Sequence, residues 1–165
     1  NMLLPGRLAD VPLLTAKMSF LGKDLKRAPQ VRRAHAAKVG QLMSKEVVTI
    51  GTGRPLGEAA ELLTRHKVSG LPVVDVDGRL VGLISEADFV SALDVRHPTR
   101  RKPMGTVVDD LMTGHPVTIA EDDTLETAIE RMEDKRVKRL VVVDGDARVR
   151  GIIARRDVLR MYTAK

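Results

Sequence analysis

The chain repeats itself. Slid by 69 residues, positions 39–93 fall on positions 108–162 without a gap, and 19 of those 55 positions are identical. A duplication of this kind restricts the fold severely. Whatever one copy forms, the other forms as well, and each must bury its apolar face. Two copies are too few for a solenoid, whose end faces need more units to cover them, so a pseudo-twofold pair sharing an interior is the natural arrangement.

The pattern inside each copy predicts its elements. In the first, "VVTI" at 47–50 is a β-branched run that reads as a short strand, and "PLGEAAELLTRHK" at 55–67 sets Leu56, Ala59, Ala60 and Leu63 at helical spacing. "LPVVDVDGRLVGLIS" at 71–85 is two β-rich runs around Asp77-Gly78, a dipeptide that supplies the positive φ angles of a tight hairpin. A helix from Ser85 to about Leu93 closes the unit. The second copy keeps the order, with "PVTI" at 116–119, a helix from Thr124, strands at 140–144 and 149–154, and a helix from about Arg155. Each unit reads β-α-β-β-α, which makes the chain α+β. It divides into a basic, partly helical extension (1–38), a first unit (39–96), a basic connector (97–107) and a second unit (108–165).

The net charge of +6 raises the question of an anionic partner. Its distribution answers against a basic groove in the fold. Residues 1–41 hold eight Lys/Arg against two acids and residues 97–107 hold three against none, while 42–96 has six against eight and 108–165 eleven against twelve. The excess lies in the extension and the connector. In the extension, Leu14, Met18, Leu21 and Leu25 follow one helical face, Pro29 interrupts, and a basic Ala-rich stretch over 31–39 predicts a helix entering the first unit. This arm either packs against the module or a second subunit, or presents its cations to a membrane surface or nucleic acid. Nucleic-acid binding is confined to the arm and connector as a minor alternative, because the only aromatic residues are Phe20, Phe89 and Tyr162. No DNA partner is expected.

The chain has no cysteine, so disulfides, thiolate metal sites and thiol nucleophiles are absent, which suits the cytoplasm. The leucine-rich start is broken by Arg7 and Asp10 before membrane-spanning length. "GTGRP" at 51–55 lacks the Gly-Lys-Ser/Thr of a phosphate loop. His35, His66, His97 and His115 show no metal-ligand spacing and read as surface residues. No nucleophile, base and orienting group assemble from the sequence, so neither an enzyme nor a metal site is expected.

The gapless pair, with "VGQLM" and "VDDLM" leading into "VVTI" and "PVTI", and then "VSGLPVVDVDGRLVGLISEAD" and "VKRLVVVDGDARVRGIIARRD", closely resembles a tandem CBS-domain pair, or Bateman module. The resemblance covers residues 39–162. It implies a disc-like module that binds adenine nucleotides or S-adenosyl compounds in clefts between the units, dimerises, and acts as an energy or metabolite sensor, sometimes for a larger regulated protein. No tightly held cofactor is implied.

In that family's pattern a glycine, two apolar residues, Ser or Thr, two variable residues and Asp mark where the last strand turns into the last helix. A helix N-terminus welcomes phosphate, and an ionised carboxylate accepts hydrogen bonds from two adjacent ribose hydroxyls. By resemblance, Asp88 and Asp157 grip ribose and Ser85 offers its hydroxyl to phosphate. Ala154 replaces that serine in the second copy, where Arg155 and Arg156 stand ready to meet phosphate, whereas Glu86 in the first repels a highly charged polyphosphate. Val48 and Val117 contact the base through their backbone, Ser69 and Lys138 precede the second strand, and Lys138 and Arg139 neutralise phosphate. A plainer reading stands beside this one. Ser85 with Asp88 three residues on is a capping box that needs no ligand, and Lys138 and Arg139 suit a solvated rim. A ligand-free dimerisation platform is the main alternative function.

Overall fold

The computed structural model describes residue 33, residues 35–96 and residues 105–163. The stripe through Leu14, Met18, Leu21 and Leu25 and the connector cations Arg100, Arg101 and Lys102 lie outside the described residues. Of the helix expected over 31–39, the described part is helical at Arg33, His35 and Ala36.

The first copy contains α1 (Val39–Leu42), β1 (Ile50–Gly51), α2 (Leu56–His66), β2 (Gly70–Val74), β3 (Leu80–Ser85) and α3 (Glu86–Leu93). The second contains α4 (Val108–Leu111), β4 (Thr113–Gly114), β5 (Thr118–Ile119), α5 (Leu125–Lys135), β6 (Arg139–Val143), β7 (Val149–Ala154) and α6 (Arg155–Thr163). The helices α2 and α5 form because their apolar residues recur at helical spacing, burying Leu56, Ala59 and Leu63 in one and Leu125, Ala128 and Met132 in the other. Both end on a left-handed residue, Lys67 and Arg136, each with φ 53°. The two single-turn helices α1 and α4 were not expected, being too short to show a period.

Two sequence expectations shift. The strands expected at 47–50 and 116–119 pair only at Ile50–Gly51 and Thr118–Ile119, lying parallel to β2 and β6. The hairpin is also longer than a tight two-residue turn. Gly78 takes φ 79°, but Asp77 does not join it at positive φ; the loop instead closes through Gly78 N–H to Asp75 C=O at 3.0 Å and Asp75 N–H to Arg79 C=O at 2.9 Å. Asp75 Oδ1 also accepts from the N–H groups of Asp77 and Arg79. A short side chain that can hydrogen-bond its own backbone thus sets the loop, not the Asp-Gly pair alone.

The copies exchange their leading segments. One sheet runs β1-β2-β3-β4 and the other β5-β6-β7, so the β4 strand of the second copy completes the sheet of the first, with Leu83 opposite Thr113. Reciprocally, Ser44 of the first copy bridges Ile152 in β7. The cores follow the strands. Val108 and Leu111 are fully buried among Leu71, Val73 and Ile84, while Val39 and Met43 pack with Leu140, Val142 and Ile153. This exchange explains the glycine repeated in both motifs. A Cβ at Gly82 would sit 2.4 Å from Met112 Sδ, and one at Gly151 would sit 2.8 Å from the Ser44 carbonyl oxygen, so each glycine makes room for a segment arriving from the other copy.

Candidate ligand-binding site

The end of β3 and the start of α3 meet the second copy in a cleft of about 360 Å³, within the range of roughly 300–1,000 Å³ typical of small-molecule sites. Its lining is mainly apolar, with a few convergent polar groups. Ser85 is the N-cap of α3, in extended conformation with φ −131°, because a residue there must leave the strand before the helix begins. Its hydroxyl accepts the Asp88 N–H at 3.3 Å and donates to Asp88 Oδ2 at 3.0 Å, and Asp88 Oδ2 takes the Ser85 N–H at 2.8 Å. The capping box allowed by the sequence is therefore formed. It consumes one carboxylate oxygen and leaves Oδ1 of half-buried Asp88 without a hydrogen bond among the described residues.

The opposite wall comes from the second copy. Arg139 starts β6 beside Lys138 and reaches across to the first copy, where its Nη2 donates to Ser69 Oγ. It can do so because its repeat counterpart is Gly70, at which a Cβ would lie 2.7 Å from Arg139 Nη1. Burial pushes the guanidinium below its ordinary pKa, and the carboxylates of Glu86 and Asp88 pull the other way. The cleft thus sets a carboxylate and a helix N-terminus on one wall against two cations on the other.

The cleft gathers Ser69, Ser85, Asp88, Val117, Lys138 and Arg139 from the expected set. It does not include Val48, which packs against the first core, or Arg155, Arg156 and Asp157 at the start of α6. Arg155 and Arg156 are exposed, whereas Asp157 is buried. Thr113, His115, Pro116 and Val137 were missed, although they line the same space. His115 is exposed, as expected of a surface residue, but it also faces the cleft from a left-handed backbone with φ 51°. The repeat offers no signal for it, since its counterpart is Glu46. Two larger grooves, of about 570 and 660 Å³, lie around Glu121, Asp122 and Arg150. They collect none of the expected ligand residues, and the Glu121–Arg150 ion pair at 2.9 Å already satisfies their central charges. Among the described residues, no group of His, Asp or Glu is placed to hold a metal ion, and no helix is long and apolar enough to cross a membrane.

Residues 39–95 and 108–164 each match the family described as CBS domain. The chain belongs to that family. As a CBS pair it is similar to inosine-5'-monophosphate dehydrogenase of Methanocaldococcus jannaschii, 34% identical over 92% of this chain and 29% of that protein. It is also similar to the chloroplastic CBS domain-containing protein CBSX1 of Arabidopsis thaliana, 29% identical over 86% of this chain and 71% of that one. The chain therefore spans under a third of the enzyme's length. Among solved structures, the CBS-domain pair of protein MJ0100 in complex with 5'-methylthioadenosine and S-adenosyl-L-methionine has a TM-score of 0.68 and 28% identity, over 78% of this chain and 97% of that one. The complex of CBSX2 with AMP has a TM-score of 0.67 and 33% identity, over 76% of this chain and 96% of that one. These neighbours agree with the α+β fold of paired units read from the sequence.

Proposed function

We propose that this CBS pair is a regulatory module, not an enzyme, that binds an adenosine-containing ligand in the cleft around Asp88: AMP, ADP, ATP or S-adenosylmethionine. The observation that carries the reading is the Asp88 carboxylate. One oxygen is anchored by Ser85, so the side chain is already oriented, and the other is free to accept ribose hydroxyls. Two charge-assisted hydrogen bonds at about 1.5–3 kcal/mol each are enough to dominate the affinity of a small ligand. The backbone at Val117 supplies the base-contacting edge, and Lys138 and Arg139 supply cations for phosphate. The Ser85 hydroxyl serves phosphate only by turning its proton away from Asp88. The neighbours bound to AMP and to S-adenosylmethionine support the ligand class.

Calorimetric titration with AMP, ADP, ATP and S-adenosylmethionine tests this reading. Asp88→Ala is expected to lose at least tenfold in affinity, about 1.4 kcal/mol or more. Its unfolding free energy should fall only by the loss of a first-turn acid and its cap, about 0.5–2 kcal/mol in urea unfolding. Unchanged affinity in a folded Asp88→Ala protein overturns the ribose assignment.

A homodimer and a larger regulated protein are further parts of the proposal, with a cytoplasmic setting. Val90 and Leu93 on α3 and Leu159 on α6 are 68%, 66% and 65% exposed, an apolar surface on the closing helices that suits a second copy. Light scattering of a protein cut before residue 39 tests whether the arm or these helices hold the dimer. Oligonucleotide binding that falls with salt and vanishes on the same cut would instead place a nucleic-acid contact in the arm.

A further inference from the structure

The two aspartates of the repeat are not equally available. Asp88 is half-buried on the cleft wall, and its Oδ1 has no hydrogen-bond partner among the described residues. Asp157 is 5% exposed, and both of its oxygens are engaged. Its Oδ2 accepts the Ala154 N–H at 2.7 Å, and its Oδ1 is ion-paired with the guanidinium of Arg160, one turn further along α6. The repeat locates the cause. Counting back 69 residues from Arg160 gives Ser91, an exposed residue too short and uncharged to reach Asp88 in this way. The facing walls differ as well: Lys138 and Arg139, which line the first cleft, correspond to Ser69 and Gly70, and His115 corresponds to Glu46.

We infer that Arg160 is an internal occupant of the second motif, filling the position on Asp157 that a ribose would need, so that the module takes one adenosine ligand, in the Asp88 cleft. The inference rests on the function proposed above. A sugar hydroxyl is a neutral donor, and displacing a guanidinium from a buried carboxylate leaves a charge with weaker compensation than before. On the facing wall Ser69 and Gly70 stand in place of Lys138 and Arg139, and the Arg139 guanidinium that reaches them already donates to Ser69 Oγ. Arg160 therefore determines how many sites the duplicated chain offers, although it lies outside the repeated motif.

Titration calorimetry of the full chain with AMP tests this through stoichiometry. The unaltered protein is expected to bind one equivalent per chain, weakened at least tenfold by D88N. Arg160→Ser, which copies Ser91, is expected to bind two equivalents, and adding D157N to it should remove the second. The Arg160 side chain is 61% exposed, so the substitution is compatible with folding, and Arg160→Gln, which keeps the length without the charge, gives the same readout. Two equivalents in the unaltered protein, or one in both folded Arg160 variants, overturn the inference and leave the Asp88 reading standing. No binding by the unaltered protein, with one D157N-sensitive equivalent in Arg160→Ser, does the reverse. If no variant binds, both fall.

Discussion

The second copy holds its aspartate where the first presents one. Both residues begin the closing helix of their unit, and both accept the N–H of the residue three positions back, at 2.8 Å for Asp88 and 2.7 Å for Asp157. Helix capping therefore accounts for both aspartates being kept, independently of any ligand. What separates them is the second carboxylate oxygen, which has no hydrogen bond among the described residues in the first unit and is paired with Arg160 in the second. Duplication preserved the scaffold, and residues outside the motif decided which copy remained open for recognition. The serine that appears only once makes the same point: Ser85 adds a second anchor to Asp88, and Ala154 cannot.

Substitutions in both units test this contrast between a shared scaffold and divergent sites. The largest effect is expected from the exchanged segments. Leu111→Ala removes a fully buried side chain that the second copy lends to the first core, and should cost about 2–5 kcal/mol in urea unfolding. Met43→Ala tests the reciprocal loan. If either substitution is nearly neutral, the two cores are less dependent on the exchange than their packing implies. Gly151→Ala comes next, at about 1–3 kcal/mol, because its Cβ would press on the Ser44 carbonyl oxygen, which is backbone. Gly82→Ala should cost less, since both Cβ atoms meet the flexible end of a methionine but the nearest backbone atom at Gly82, the Thr113 carbonyl oxygen, is 3.1 Å away against 2.8 Å at Gly151. Equal melting temperatures for the two variants would remove that distinction.

A smaller change of opposite sign is expected at Ala147, the counterpart of Gly78, which sits at φ 63° without glycine's freedom. Ala147→Gly should stabilise the second hairpin by up to about 1 kcal/mol, read as a rise in the urea midpoint. The smallest effect concerns pH. The Asp144 carboxyl is held below its usual pKa, first by the backbone hydrogen bond from Arg148, and Asp110 is held down by those from Thr106 and Val107. A depressed folded-state pKa contributes stability that is present above the unfolded value of about 3.9 and is lost as pH falls through the folded one. Stability should therefore decline below about pH 4, and the decline should be shallower in Asp144→Asn. An unchanged acid slope would show that this loop contributes nothing to it.

Much of the fold was legible because it rests on local periodicity. The burial of Leu56, Ala59 and Leu63, the positions of β2, β3, β6 and β7, and the cap at Ser85 follow from side-chain spacing and from hydrogen bonds between near neighbours. The site was legible in part. Ser85, Asp88, Val117, Lys138 and Arg139 converge, whereas Thr113, in the two-residue strand β4, and His115 just after it lie in a segment too short to show a period.

The amino-acid sequence determined by itself that two like units would form, which face of each helix would be buried, and that both closing helices would start on an aspartate. Tertiary structure alone decided that the second unit's leading strand would complete the first sheet, that Ser44 would bridge to β7 in return, and that Gly70 would leave a path for Arg139. Periodicity and capping act over a few residues and are written along the chain. Strand exchange and the reach of Arg139 to Ser69 depend on distances between residues far apart in sequence, and those distances exist only once the chain has folded.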